Sequence, residues 1–113
     1  MENTHDTTYE YFHVTTSSNW KKIKKEGLIP KIGKRSLNMN EQEKSVFLFT
    51  SEQAMEDGVC NWLGDEFPAH AKLVCLKVAL SENPNKLNKN ELFFEKEIRY
   101  VIEPSKITLY KFL

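Results

Sequence analysis

The longest apolar run in the sequence, residues 71–80, constrains the fold more than any other segment. It reads AKLVCLKVAL and is apolar apart from two lysines. A run of this length without strict polar alternation is typical of a strand that is buried on both faces. The sequence therefore predicts a sheet with this segment as an interior strand and with further structure packed on both sides.

Shorter segments around this run predict the rest of an α+β domain. Two helices are expected at 19–26 and at 52–63. Four more strands are expected at 9–14, 46–49, 93–103 and 107–112. Helical signals come early and strand signals come late, which favours a split, mostly antiparallel sheet over an alternating parallel one.

The ends of both helices carry recognisable signals. Candidate N-cap residues at 15–18 precede the first helix, and Gly27 followed by Leu28 is typical of a helix end with a hydrophobic contact. Thr50 or Ser51 is expected to cap the second helix. The apolar positions expected along that second helix are Ala54, Val59, Trp62 and Leu63.

Length and charge limit the functional classes. A chain of 113 residues is expected to form one domain, here 9–113 after a disordered tail at 1–8. Sixteen basic residues balance sixteen acidic ones, which removes the electrostatic argument for non-specific nucleic-acid binding. The lysines at 21–25 favour a solvated helix face. The long polar loop at 29–44 is expected to be mobile.

Cysteine usage and hydropathy predict the compartment. Cys60 and Cys75 both lie in segments that predict small buried side chains in a reducing environment. No apolar run reaches the roughly 18 residues that a membrane-spanning helix needs. We therefore expect a cytoplasmic protein without a membrane partner, monomeric by default.

The predicted strand at 93–103 has two chemically different faces. One face is expected to be buried and carries Phe94, Ile98, Tyr100 and Ile102. The other face carries Glu95, Glu97, Arg99 and Val101. Two interpretations of this second face stay open: a solvated face with ion pairs, or a carboxylate held rigidly in a cleft.

His13 is the second candidate, at the end of the first predicted strand and directly before the capping residues. A histidine in this position is structural or exposed in most proteins, and the functional alternative is a cleft residue. The three histidines and two cysteines show no metal-ligand spacing, so no metal is expected. The four glycines are dispersed, which excludes a glycine-rich phosphate loop.

Three segments, taken in order, resemble the ADP-ribosyltransferase superfamily in its histidine-tyrosine-glutamate branch, which includes poly-ADP-ribose polymerases. The first is FHVT at 12–15, with a helix that ends in Glu-Gly-Leu at 26–28. The second is VFLFTS at 46–51. The third is EIRYVI at 97–102, followed by Ile-Thr-Leu at 107–109. The resemblance covers nearly the whole chain and implies a minimal single-domain member.

The resemblance also implies roles for individual residues. His13 would bind a ribose of NAD, Thr15 would contact the nicotinamide amide, and Phe47 would stack on the nicotinamide ring. Glu97 would accept a ribose hydroxyl and stabilise the oxocarbenium-like state. Glu95 is similar to the first glutamate of the Glu-x-Glu pair in arginine-modifying relatives.

Two more residues belong to the expected NAD site, and two positions depart from the family pattern. Ser51 is the last residue of the second motif, and Arg35 in the long loop is the candidate phosphate contact. Phe47 stands where the family has tyrosine, so it keeps the aromatic ring for stacking but lacks the hydroxyl. Val14 follows the histidine where the family has glycine.

Three functions follow in descending order. The first is an enzyme that cleaves NAD and transfers ADP-ribose to an unidentified protein or nucleic acid, or to water. The second is a non-catalytic nucleotide-binding or protein-interaction module on the same fold. The third is an RNA 2′-phosphotransferase, which ranks lowest because Arg35 and Arg99 are the only arginines and lysine cannot form the bidentate phosphate fork.

Overall fold

Five antiparallel strands and two α-helices form a small α+β domain in the computed structural model, which describes residues 8–30, 45–61, 67–81 and 95–113. The strands are β1 Tyr9–Thr16, β2 Val46–Phe49, β3 Leu73–Leu80, β4 Glu95–Ile98 and β5 Ile107–Phe112. The helices are α1 Ser17–Glu26, α2 Glu52–Asn61 and a 3₁₀ turn at Pro104–Lys106. The α+β class and the antiparallel sheet predicted from the sequence are confirmed.

The sheet has two unequal halves within the order β4-β2-β1-β3-β5. The wide half consists of β1, β3 and β5, and its central ladder runs from Tyr9 opposite Leu80 to Thr16 opposite Leu73. The narrow half consists of β2 and β4, which pair along the short length of β2. Among the described residues, β1 meets β2 where Phe12 lies opposite Phe49, and this junction between the two halves is the seam.

Hydrophobic cores cover both faces of the sheet. On the α1 face the largest fully buried side chains are Tyr11, Leu48, Leu76 and Ile102. On the α2 face the buried core residues are Phe12, Val14, Phe49, Met55 and Cys75. Because β3 contributes to both cores, the prediction of an interior strand buried on both faces is confirmed.

Local signals account for the bounds of α1. Thr16 Oγ1 accepts a hydrogen bond from the backbone N–H of Asn19 and so caps the first turn. At the other end, the N–H of Gly27 donates to the carbonyl of Ile23. Gly27 has φ 84°, and a Cβ at this position would collide with the carbonyl oxygen of Ile102. Only glycine allows the approach that pairs Leu28 with Ile102.

The second helix begins at a serine cap. Ser51 Oγ accepts a hydrogen bond from the backbone N–H of Ala54 at 3.0 Å, so Ser51 rather than Thr50 is the capping residue. Met55, which the sequence analysis missed, is fully buried on the α2 face. The predicted helix positions Trp62 and Leu63 lie outside the described residues.

The C-terminal strand prediction is partly wrong. Ile98 and Ile102 are buried as expected, but Tyr100 is 48% exposed. The reason is that β4 ends at Ile98, so the alternation that was expected to bury Tyr100 no longer applies. Phe94 lies outside the described residues.

The two cysteines differ. Cys75 is fully buried, as expected, and burial raises the pKa of its thiol to about 11. Cys60 is exposed, so its predicted burial is wrong, because it lies on the solvent side of α2.

The predicted tail, apart from Thr8, and most of the predicted mobile loop fall outside the described residues. Among the helices that are described, none is long and apolar enough to cross a membrane.

Candidate functional site

The narrow half of the sheet carries the acidic residues singled out in the sequence. Glu97 lies directly opposite Phe47 across the β2–β4 ladder, and Glu95 lies opposite Phe49. Since paired residues share a face, all four belong to the same face as Phe12, which pairs with Phe49. This is the face that α2 covers. The structure therefore brings Phe47, Glu95 and Glu97 together.

The Glu97 carboxylate is held at both oxygens. Ser45 Oγ donates a hydrogen bond to Oε2 at 2.5 Å, and Arg99 Nη2 lies 3.3 Å from Oε1. The Glu97 side chain is 12% exposed, whereas the Arg99 side chain is 50% exposed. Glu97 is therefore a largely buried anion on a paired strand, with one buried and one solvent-facing donor.

His13 lies at the seam between the two halves. Its Nδ1 is 3.1 Å from the carbonyl oxygen of Phe47, across the junction between β1 and β2. A carbonyl only accepts, so this contact requires the proton on Nδ1, and Nε2 is then the acceptor nitrogen of the neutral ring. The contact ties the imidazole to the backbone of the residue that opposes Glu97.

Strand alternation nevertheless separates His13 from Glu97. His13 pairs with Leu76 and shares the α1 face with Tyr11 and Thr15. Glu97 shares the α2 face with Phe47. The link between His13 and this group runs through a backbone carbonyl rather than through side chains on one face. A joint role for His13, Phe47 and Glu97 at one NAD site, which the family resemblance implies, stays a prediction.

Thr15 and Ser51 both have structural hydrogen bonds in the part of the chain that the structure describes. The Thr15 hydroxyl is buried and accepts from Asn19 Nδ2 at 3.1 Å, which fastens the start of α1. Ser51 caps α2. Their expected contacts with NAD stay predictions, and Arg35 lies outside the described residues.

Two residues near the site were missed by the sequence analysis. Ser45 is 5% exposed and supplies the buried donor to Glu97, although the two are 52 positions apart in the chain. Lys96 is 3% exposed next to the buried Glu95, opposite Leu48. Alternation along the strand places Lys96 on the buried face with Ile98, but no local pattern marks Ser45, which depends on the pairing of β2 with β4.

A second polar cluster joins α2 to the edge strand β5. Lys111 Nζ lies 2.8 Å from Glu52 Oε2 and 3.1 Å from Glu56 Oε2, and the Tyr110 hydroxyl donates to Glu52 Oε1 at 2.7 Å. The hydrogen bonds from Lys111 and Tyr110 lower the pKa of Glu52, and the bond to Glu52 raises the pKa of Tyr110. The cluster fixes the helix that covers the acidic face.

Comparisons with protein-family models, with curated proteins and with solved structures gave no match for this chain. The family resemblance therefore rests on the three sequence segments. Within the described residues, no three His, Cys, Asp or Glu side chains lie close enough to hold a metal ion. The expectation that the protein uses no metal stays a prediction.

Proposed function

We propose that this protein is a small ADP-ribosyltransferase-like enzyme that cleaves NAD and transfers ADP-ribose to a protein, a nucleic acid or water. The observation that carries the proposal is the Glu97 carboxylate, which is largely buried on β4 and held by Ser45 opposite Phe47. A fixed, mostly dry anion is what a reaction with developing positive charge needs.

The proposed reaction breaks the bond between the nicotinamide nitrogen and the ribose carbon of NAD. The electron pair leaves with nicotinamide, and positive charge develops on the ribose. Glu97 stabilises that charge, and Phe47 offers a ring on which nicotinamide stacks. The acceptor nucleophile or water then bonds to the ribose carbon and loses its proton.

In this proposal His13, which lies at the seam, binds a ribose hydroxyl of NAD. With Nδ1 donating to the Phe47 carbonyl, the imidazole is oriented and its Nε2 is the nitrogen that accepts from a ribose hydroxyl. This role requires the ribose to span the seam, because His13 lies on the α1 face and Glu97 on the α2 face. Glu95, buried two pairs along the same ladder and on the same face, is placed to orient an acceptor.

A non-catalytic binding module is the second candidate, and a specific observation favours it. Alternation places His13 and Glu97 on opposite faces of the sheet, and Glu97 already has a cationic neighbour in Arg99. A module of this kind would bind a nucleotide or a protein without breaking the glycosidic bond. Binding without nicotinamide release distinguishes it from the enzyme.

The direct test compares wild type with Glu97→Gln, using labelled NAD alone and with a cell lysate. We expect nicotinamide release to fall by about 10²–10³, because the amide lacks the stabilising charge, with NAD affinity nearly unchanged. Glu103→Gln is the matched control, since Glu103 is an exposed glutamate on the same C-terminal segment.

Each alternative outcome has a clear meaning. Wild-type protein that neither binds NAD in calorimetry nor releases nicotinamide would exclude the proposed enzyme. Wild type that binds NAD without releasing nicotinamide would establish the binding module instead. Label that appears on protein or on nucleic acid identifies the class of acceptor.

A further inference from the structure

Ser45 lies where its hydroxyl donates to the Glu97 carboxylate. It directly precedes β2, and continuing the β2–β4 register places it opposite Arg99. Its Oγ reaches diagonally across the ladder to Glu97 Oε2 at 2.5 Å. Ser45 is 5% exposed, so this donor is shielded from competing water.

Ser45 and Arg99 differ in how firmly they hold Glu97. The Ser45 hydroxyl is on a buried, short side chain, and hydrogen bonds from a hydroxyl to a carboxylate are short and strong. Arg99 is a long side chain that is half exposed, and its contact is at 3.3 Å. An exposed ion pair of this kind is screened by solvent and contributes little.

We propose that Ser45 is the positioning residue for Glu97. It fixes Oε2 and thereby leaves Oε1 as the oxygen that meets the positive charge developing on the ribose. Arg99 occupies the Oε1 side in the absence of NAD and is displaced when NAD binds. This inference rests on the proposed function, and it names the side chain that keeps the carboxylate in one orientation.

The kinetic test uses Ser45→Ala, Ser45→Thr and Arg99→Gln. Loss of the hydroxyl in Ser45→Ala is expected to lower kcat for nicotinamide release about ten- to a hundredfold with KM for NAD nearly unchanged. Threonine keeps the hydroxyl and restores most of kcat. Arg99→Gln, which removes the exposed donor, changes kcat by less than about threefold.

A second measurement tests the hold on Glu97 without any turnover. Urea unfolding of Ser45→Ala, Glu97→Ala and the double variant forms a mutant cycle. We expect the two substitutions to be coupled by at least about fivefold in the unfolding equilibrium constant. Ser45→Cys, which keeps the size but donates weakly, replaces Ser45→Ala if the alanine variant does not fold.

The outcomes separate this inference from the proposed function. Additive unfolding effects, or an active Ser45→Ala enzyme with wild-type kcat, would overturn the role of Ser45 alone. A wild-type protein that releases no nicotinamide would overturn the enzyme and with it the catalytic part of this role. Coupling in the cycle together with loss of kcat supports both.

Discussion

The wide and narrow halves of the sheet use the same secondary structure for different purposes. In the wide half, β1 and β3 pair from Tyr9–Leu80 to Thr16–Leu73, and β3 buries side chains on both faces. In the narrow half, β2 and β4 are short, and β4 carries the buried Glu95 and the largely buried Glu97. Both halves contribute to the apolar cores, and the narrow half also carries the acidic residues.

The difference shows how a small domain keeps a polar site without losing its fold. Buried charge is costly unless it is hydrogen-bonded, and in the narrow half Ser45 and Arg99 supply such bonds to Glu97. The seam at Phe12 and Phe49 joins this segment to the wide half, and Leu48 and Phe49 of β2 pack in the same two cores as the wide-half residues. Segments that bind ligands commonly come from the less stable part of a protein.

The largest effect on folding is expected in the wide half. Leu76→Ala removes a fully buried side chain from the α1-face core and should lower the free energy of unfolding by about 2–5 kcal/mol, because it leaves a cavity. Leu109 is the matched control, since it pairs with Leu76 but is 37% exposed. Urea unfolding measures both, and an equal loss for the two variants would contradict the role of Leu76 as a core residue of the wide half.

A smaller effect is expected where α2 is tied to β5. The hydrogen bonds from Lys111 and Tyr110 lower the pKa of Glu52. Ionised Glu52 therefore stabilises the fold fully at pH values above the ordinary pKa of a glutamate. That stabilisation is lost as the pH falls through the lowered pKa. Glu52→Gln should therefore flatten the decline of the unfolding midpoint between neutral and acidic pH.

Glu56→Gln is the control for this pH dependence. Glu56 contacts Lys111 at 3.1 Å, and it has no part in the Tyr110 hydrogen bond. We expect Glu56→Gln to change the fall of the unfolding midpoint at acidic pH less than Glu52→Gln does. Thermal melts from pH 7 to pH 3 compare the three proteins. If the unfolding midpoint falls equally with decreasing pH in wild type and in Glu52→Gln, the cluster does not hold α2.

Much of the fold was predictable because its signals are local. β2 at Val46–Phe49 and β5 at Ile107–Phe112 have the predicted bounds. Gly27 ends α1 as expected, since a positive φ favours glycine. The true end of β4 at Ile98 was missed, because it depends on where the chain leaves the sheet to pair Leu28 with Ile102.

The candidate site was less predictable than the fold. The alternation of acidic residues on β4 indicated Glu95 and Glu97 correctly as neighbours on one face. The partner that holds Glu97 could not be inferred, since Ser45 is 52 positions away in the chain. The side of the sheet on which His13 lies also depends on register with β3, which no local pattern specifies.

The central claim is that NAD binds at the narrow half of the sheet. An amide NMR titration of the ¹⁵N-labelled protein with NAD tests it most directly, with β5, at the opposite edge of the sheet from β4, as the internal reference. We predict that the largest shift changes fall on residues 45–49 and 95–99 and on His13, with β5 nearly unchanged. Saturable changes confined to β5, or no change at millimolar NAD, would contradict the account.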